Sequence, residues 1–197
     1  DDGSVLVQEI IDAIGREYLV RVRNAAARMG ELIESLLKMS RVGRGGMHPV
    51  ELDLSRMASD IIADLRATDP DRPVEAVIAD GLHATGDAGL VRSLLQNLLG
   101  NAWKFTAGHA DARIEVGRDD QGFFVRDNGA GFEAEYADKL FRPFQRLHSQ
   151  DEFAGHGIGL ASVKRIVERH GGAVSASGRP GEGATFHFTL PDPLADN

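Results

Sequence analysis

The chain has 197 residues, of which 42% are apolar, 26% charged and only 6% aromatic, so aliphatic side chains must fill its core. A formal net charge of -8 argues against a general nucleic-acid binder, which needs a basic surface. The absence of cysteine excludes disulfide scaffolds, cysteine zinc sites, thiolate nucleophiles and iron–sulfur clusters, and no apolar run approaches the roughly 20 residues of a membrane helix.

The start, Asp1-Asp2-Gly3-Ser4, reads as an end cut from a longer protein. Residues 5–42 predict a long helix. Ile10, Ile14, Leu19, Val22, Ala26, Met29, Leu32, Ile33, Leu36, Leu37 and Met39 recur at threes and fours, and charged residues fill most of the remaining face. Gly15 is a potential break. So narrow a stripe on so long a helix has to be buried, either on its own domain or in an antiparallel or dimeric bundle. Gly43, Gly45, Gly46 and Pro49 mark a linker. The predicted division is a helical segment over 1–45, a linker over 46–52, an α/β domain over 53–191 and a tail over 192–197.

Within that domain Asp53 is placed to cap a helix to about Ala67, and residues 68–73 predict a loop. Val74 to Ala79 alternates as a strand does, and Asp87 is a predicted N-cap for a helix from Ala88 to Phe105. Arg113 to Arg118 and Gly122 to Asp127 predict a hairpin turning through Asp119-Asp120-Gln121. Ile158 to His170 predicts a helix stopped by Gly171-Gly172, and Ala173 to Ser177 and Ala184 to Leu190 two further strands.

Four constellations carry chemistry. On the helix from Ala88, Asn97, Asn101 and Lys104 stand at i, i+4 and i+7 beside an apolar face. Asparagine oxygens suit a hard ion such as magnesium, and the lysine suits phosphate; a merely wet polar face has the same pattern. The second, Asp127-Asn128-Gly129-Ala130-Gly131, follows a strand. Its carboxylate could accept from an exocyclic amine and its glycines admit a flat ligand, although Asp-Asn-Gly is also a common hairpin turn. In the third, Phe141-Arg142-Pro143-Phe144-Gln145-Arg146, two aromatics read as loop anchors and Arg146 as a guanidinium carried on that loop. The fourth, Gly155-His156-Gly157-Ile158-Gly159-Leu160, opens a helix and offers N–H groups to an anion. It lacks the lysine of a P-loop and the strand of a dinucleotide fingerprint.

In this order and spacing the four motifs resemble the sensor histidine kinases of two-component systems. The resemblance covers the catalytic domain and the second helix of the dimerisation and phosphotransfer bundle. The wording of residues 97–106 and of 144–148 is similar to the phytochrome-related and PAS-containing branch. The resemblance implies an α/β (α+β) two-layer sandwich of the GHKL ATPase (Bergerat) type, with a mixed sheet and helices on one face, preceded by a long bundle helix. It implies ATP or ADP with Mg2+ as ligands. Asn101, with Asn97, would hold the metal, Lys104 and Arg146 would contact phosphates, and Asp127 would read adenine. Gly129, Gly131, Phe141, Phe144, Gly155, Gly157, Ile158, Gly159 and Leu160 would complete the nucleotide site, and residues 142–157 would be the ATP lid. Implied partners are a response regulator receiver domain and a second copy of the chain through the N-terminal helix. Neither nucleic acid nor membrane contact is expected of this segment, and a cytoplasmic location is.

The family's phosphoacceptor is a histidine followed by an acidic residue on the first bundle helix. No histidine precedes His48, which sits in the linker, so this chain is expected to lack the acceptor. His156 also departs from the family, which has a small residue there. Two rival readings are a chaperone- or mismatch-repair-type ATPase of the same superfamily and a nucleotide-binding scaffold without kinase activity. The ATPases place a water-activating glutamate where this chain has Asn97, whose amide cannot take a proton.

Overall fold

The computed structural model describes residues 15–16, 18–23, 25–26, 29–30, 33, 46–145 and 157–191. The chain divides into two units, 1–40 and 41–197. In the first, every described residue is helical, Gly15 included; the residues before Gly15, where a break was expected, lie outside the described residues. Leu19, Val22, Met29 and Ile33 are exposed. With Ala26 they are spaced by three, four, three and four residues, the seam of a coiled coil.

The second unit begins with β1 (Pro49–Asp53), α1 (Leu54–Thr68), β2 (Glu75–Ile78), β3 (His83–Asp87) and α2 (Ala88–Phe105). It continues with β4 (Arg113–Asp119), β5 (Gly122–Asp127), a 3-10 turn (Ala134–Lys139), α3 (Gly159–Arg169), β6 (Val174–Arg179) and β7 (Gly183–Phe188). Five strands form one mixed sheet in the order β2-β4-β5-β7-β6; β2 runs parallel to β4 and the other neighbours are antiparallel. Ile114 and Val116 on β4, Phe123 and Val125 on β5, and Phe186 and Phe188 on β7 join one buried cluster with side chains of α1, α2 and α3. Alternate residues of these strands cannot reach that layer. Among them, Arg126 lies over the Phe124 ring, and His187 Nε2 is 3.0 Å from Asp119 Oδ2.

β1 and β3 form a separate antiparallel pair, with Pro49 opposite Asp87 and Asp53 opposite His83. The sequence reading placed 46–52 in a linker, so β1 corrects it. Only Leu52 of this strand is buried, which leaves no alternation to read, and its partner strand lies some 30 residues on.

Helix ends are fixed as their sequences suggest. The Asp53 carboxylate accepts from Arg56 N–H at 2.9 Å. Asp87 Oδ1 accepts from Gly89 and Leu90 N–H, each at 3.1 Å, and these donors, Leu90 foremost, hold its carboxyl below the usual range. His170 ends α3. Its Nδ1–H donates to Ile166 O at 2.8 Å, and its Nε2 accepts from the Asp87 backbone N–H at 3.0 Å. That pairing requires the neutral ring, and it ties the end of α3 to the start of α2.

Candidate nucleotide site

α2 buries Val91, Leu94, Leu95, Leu98, Leu99, Ala102 and Trp103, leaving Asn97, Asn101 and Lys104 half-buried on the remaining stripe. Asn97 Nδ2 donates to Ser93 O at 2.7 Å. Its Oδ1 is turned to the first residue of α3: a Cβ added at Gly159 would come within 2.6 Å of it. Glycine at 159 therefore lets the two helices meet through Asn97. The amide of Asn101 makes no hydrogen bond among the described residues, so its oxygen is available to a ligand. Lys104 Nζ lies 4.1 Å from the centroid of the Phe105 ring.

Asp127 ends β5 between β4 and β7, opposite Ile114 and Ala184, and its side chain is buried. Burial pushes its carboxyl up to about 6, against smaller opposing contributions from the Gly129 and Ala184 N–H groups and from His109. Oδ1 accepts from Gly129 N–H at 2.9 Å. The following residues do not make the hairpin turn that Asp-Asn-Gly alone allows. Instead Ala130 N–H donates to Phe105 O at 3.0 Å, which hangs this glycine segment on the last turn of α2. A side chain at Gly129 would strike that same carbonyl oxygen. Gly131 has φ +64°, and a side chain there would strike Arg179 O. Asn128 closes the other side: its Oδ1 accepts from Arg113 N–H and its Nδ2 donates to Asp111 O, both at 2.8 Å.

The two phenylalanines part company. Phe141 packs against the core, edge-on to Phe186 at 6.5 Å. Phe144 is no anchor: its φ of 64° turns the side chain outward, and it is 56% exposed. Its N–H donates to Gly157 O at 2.9 Å, so the two ends of the segment 145–156 meet. Gly157 (φ +69°) leads through buried Ile158 into α3, where Leu160 packs on the core. Among the described residues no side chain caps this helix, and an uncapped N-terminus is suited to an anion. Arg146, Gly155 and His156 lie outside the described residues.

The structure thus brings the Asn97–Lys104 stripe, the Asp127–Gly131 segment and the start of α3 together around the C-terminal half of α2. No group of three histidine or acidic side chains that could cage a metal occurs among the described residues. Amide oxygens at Asn97 and Asn101 are hard, neutral donors. They fit a magnesium ion that keeps several waters and takes phosphate oxygens as its remaining ligands. Sequence reasoning singled out neither Asn128 nor Arg72, whose guanidinium lies over Trp103; a lone polar residue in a turn gives no periodic signal.

Residues 86–194 match the family model described as histidine kinase-, DNA gyrase B-, and HSP90-like ATPase. The chain is 38% identical over 191 residues to cyanobacterial phytochrome B of Nostoc sp., a match covering 93% of this chain and 25% of that protein. It is 29% identical over 186 residues to the sensor protein kinase PmrB of Pseudomonas aeruginosa, covering 90% of this chain and 39% of that one. The chain spans about a quarter of the length of the phytochrome it matches. Among solved structures, full-length ShkA in complex with AMPPNP superposes with a TM-score of 0.67 at 26% identity, covering 91% of this chain and 40% of that chain. The mycobacterial sensor histidine kinase MprB, at 24% identity and a TM-score of 0.60, shares the fold over 76% of this chain and 100% of its own. The mixed sheet with its helices agrees with these matches, and the chain belongs to the histidine kinase-, DNA gyrase B- and HSP90-like ATPase family, as an ATP-binding catalytic domain of its histidine kinases.

Proposed function

We propose that this chain is the catalytic portion of a sensor histidine kinase that binds Mg-ATP and transfers its γ-phosphoryl group to a histidine on a dimerisation helix, for relay to a response-regulator aspartate. The observation that carries this reading is the buried Asp127 carboxylate, seated one hydrogen bond from Gly129 beside the asparagine stripe of α2. Adenine presents an amine donor to such an acceptor, where guanine presents an oxygen. ShkA, whose structure holds AMPPNP, supports an adenine triphosphate as the ligand.

In this reading Asp127 accepts from the adenine amine, and the start of α3 from Gly157 to Leu160 seats phosphates with Lys104 and Arg146. Phe141 holds the segment that leads to the lid. A magnesium ion held by Asn101 with Asn97 would neutralise charge on the phosphates. The protein's own contribution is to fix the γ-phosphoryl group in line with an incoming imidazole and to stabilise its charge. Asn97 offers no base to water, so hydrolysis is slow. No helix among the described residues is long and apolar enough to cross a membrane.

The test uses radiolabelled ATP with this chain alone and with a longer, kinase-dead chain carrying an acceptor helix. Label should appear only in the mixture, on the acceptor chain, and Asn101→Ala should abolish it. Acid-labile, base-stable label on this chain alone would show that the acceptor has been misplaced. ATP binding with no transfer in any mixture would favour a nucleotide-binding scaffold.

The partner reading extends to a homodimer. Leu19, Val22, Met29 and Ile33 are exposed at coiled-coil spacing, and a second copy would bury them. Light scattering at tens of micromolar should give a mass above that of one chain. A strict monomer at that concentration contradicts pairing through this helix.

A further inference from the structure

From the placement of one guanidinium we infer that Arg72 is a positioning residue for the nucleotide site, acting through Trp103 and Thr106 on the last turn of α2. The inference rests on the reading of that site as an ATP site.

Arg72 stands in the short connection between α1 and β2, far in sequence from every glycine segment. The connection is itself held: Arg72 N–H donates to Asp69 O at 3.3 Å, and Arg66 Nη2 donates to Val74 O at 3.1 Å. From there the Arg72 side chain reaches the end of α2. Its Nη2 donates to Thr106 Oγ1 at 2.8 Å, and its Cζ lies 4.9 Å from the centroid of the Trp103 ring. Thr106 has no exposed surface, and its hydroxyl donates in turn to Ala102 O at 2.7 Å. A cation at a helix C-terminus also faces the favourable end of the helix dipole.

The turn held in this way carries the site. Trp103, Lys104, Phe105 and Thr106 are consecutive. Phe105 O is the acceptor on which Ala130 N–H hangs the glycine segment, and Lys104 is the phosphate residue of the proposed mechanism. Arg72 holds this turn from one side while the glycine segment hangs from its backbone. Without the guanidinium, the Trp103 face loses its cover and Thr106 loses its donor. Lys104 and the Phe105 carbonyl then lose one of the constraints on their position. Lysine restores the charge at 72 but not the planar fork that can stack on an indole and donate sideways at once.

The experiment compares the full chain with Arg72→Ala, Arg72→Lys and Asp127→Ala. It measures Mg-ATP affinity by calorimetry, thermal unfolding, and the emission of Trp103, the only tryptophan in the chain. Arg72→Ala should weaken ATP binding about tenfold, the scale of one lost cation–π and hydrogen-bonded anchor. It should also alter Trp103 emission before nucleotide is added, with Arg72→Lys intermediate in both. A folded Arg72→Ala protein with lower thermal stability and altered emission but the parent's ATP affinity would make Arg72 structural only, and overturn the inference. Should the alanine variant fail to fold, Arg72→Lys decides by the same affinity criterion. A parent chain that binds no ATP overturns the nucleotide reading and this inference with it. A parent that binds ATP and loses it in Asp127→Ala, while both Arg72 variants match the parent, overturns the Arg72 inference alone.

Discussion

Asp127→Asn should cost the protein its nucleotide and make its empty form more stable. The loss of binding follows from removing a charge-assisted acceptor, worth about 10- to 100-fold in affinity. The gain follows from burial, which raises the carboxyl from 3.8 to about 6. A carboxyl raised in the folded state favours the protonated form there. Stability is therefore full below the unfolded value near 4, falls as pH rises to about 6, and stays low above it. The shift corresponds to at most about 3 kcal/mol at neutral pH. An uncharged asparagine escapes that penalty while its amide oxygen can still accept from Gly129 N–H. Denaturant melts should show Asp127→Asn more stable than the parent at pH 7.5 and equal to it at pH 4. ATP affinity of the parent should fall as pH drops through 6. Equal stability differences at both pH values, or undiminished ATP binding by the variant, would sink the assignment of this carboxylate.

Gly131→Ala should damage the fold itself. Its φ of +64° is unfavourable for any residue with a Cβ, and that Cβ would strike the Arg179 backbone oxygen, which cannot swing aside as a side chain would. Strain and displaced backbone together should cost on the order of 3 kcal/mol. Gly81 supplies the control: its φ is +71°, but nothing lies within 4 Å of an added Cβ. Gly81→Ala should cost only the strain, about 1 kcal/mol. The two variants melting alike would mean that the segment around 131 yields, and that its glycine is not required by packing.

Much of this arrangement could be read in the sequence because its signals are local. Asp87 and the spacing of Leu94, Leu98, Ala102 against Asn97, Asn101, Lys104 define α2 within one stretch of chain. The alternating glycines at 129 and 131 and at 157 and 159 mark backbone that must turn or be approached closely. What escaped depends on contacts distant in sequence. β1 buries one residue and owes its extension to β3. Phe144 looked like an anchor because aromatics are scarce, but its side is decided by a backbone angle that composition does not report. Arg72 is one arginine in a proline-flanked turn, and only the fold brings it to Trp103. Arg146 and Gly155 fall outside the described residues, so their placement stays with the sequence.

The residues of the Asp127–Gly131 segment divide into glycines that seat the chain and a carboxylate proposed to face the ligand. Gly129 and Gly131 rest on neighbouring backbone, whereas Asp127 burdens the fold it sits in. In a cell that division separates two genetic outcomes. A glycine variant is unfolded often enough for proteases to remove it, and its allele behaves as a missing copy. An Asp127 variant should accumulate at full level and, if the homodimer proposed through Leu19 to Ile33 forms, should pair with normal subunits. Such an allele would interfere with its intact counterpart instead of merely failing beside it.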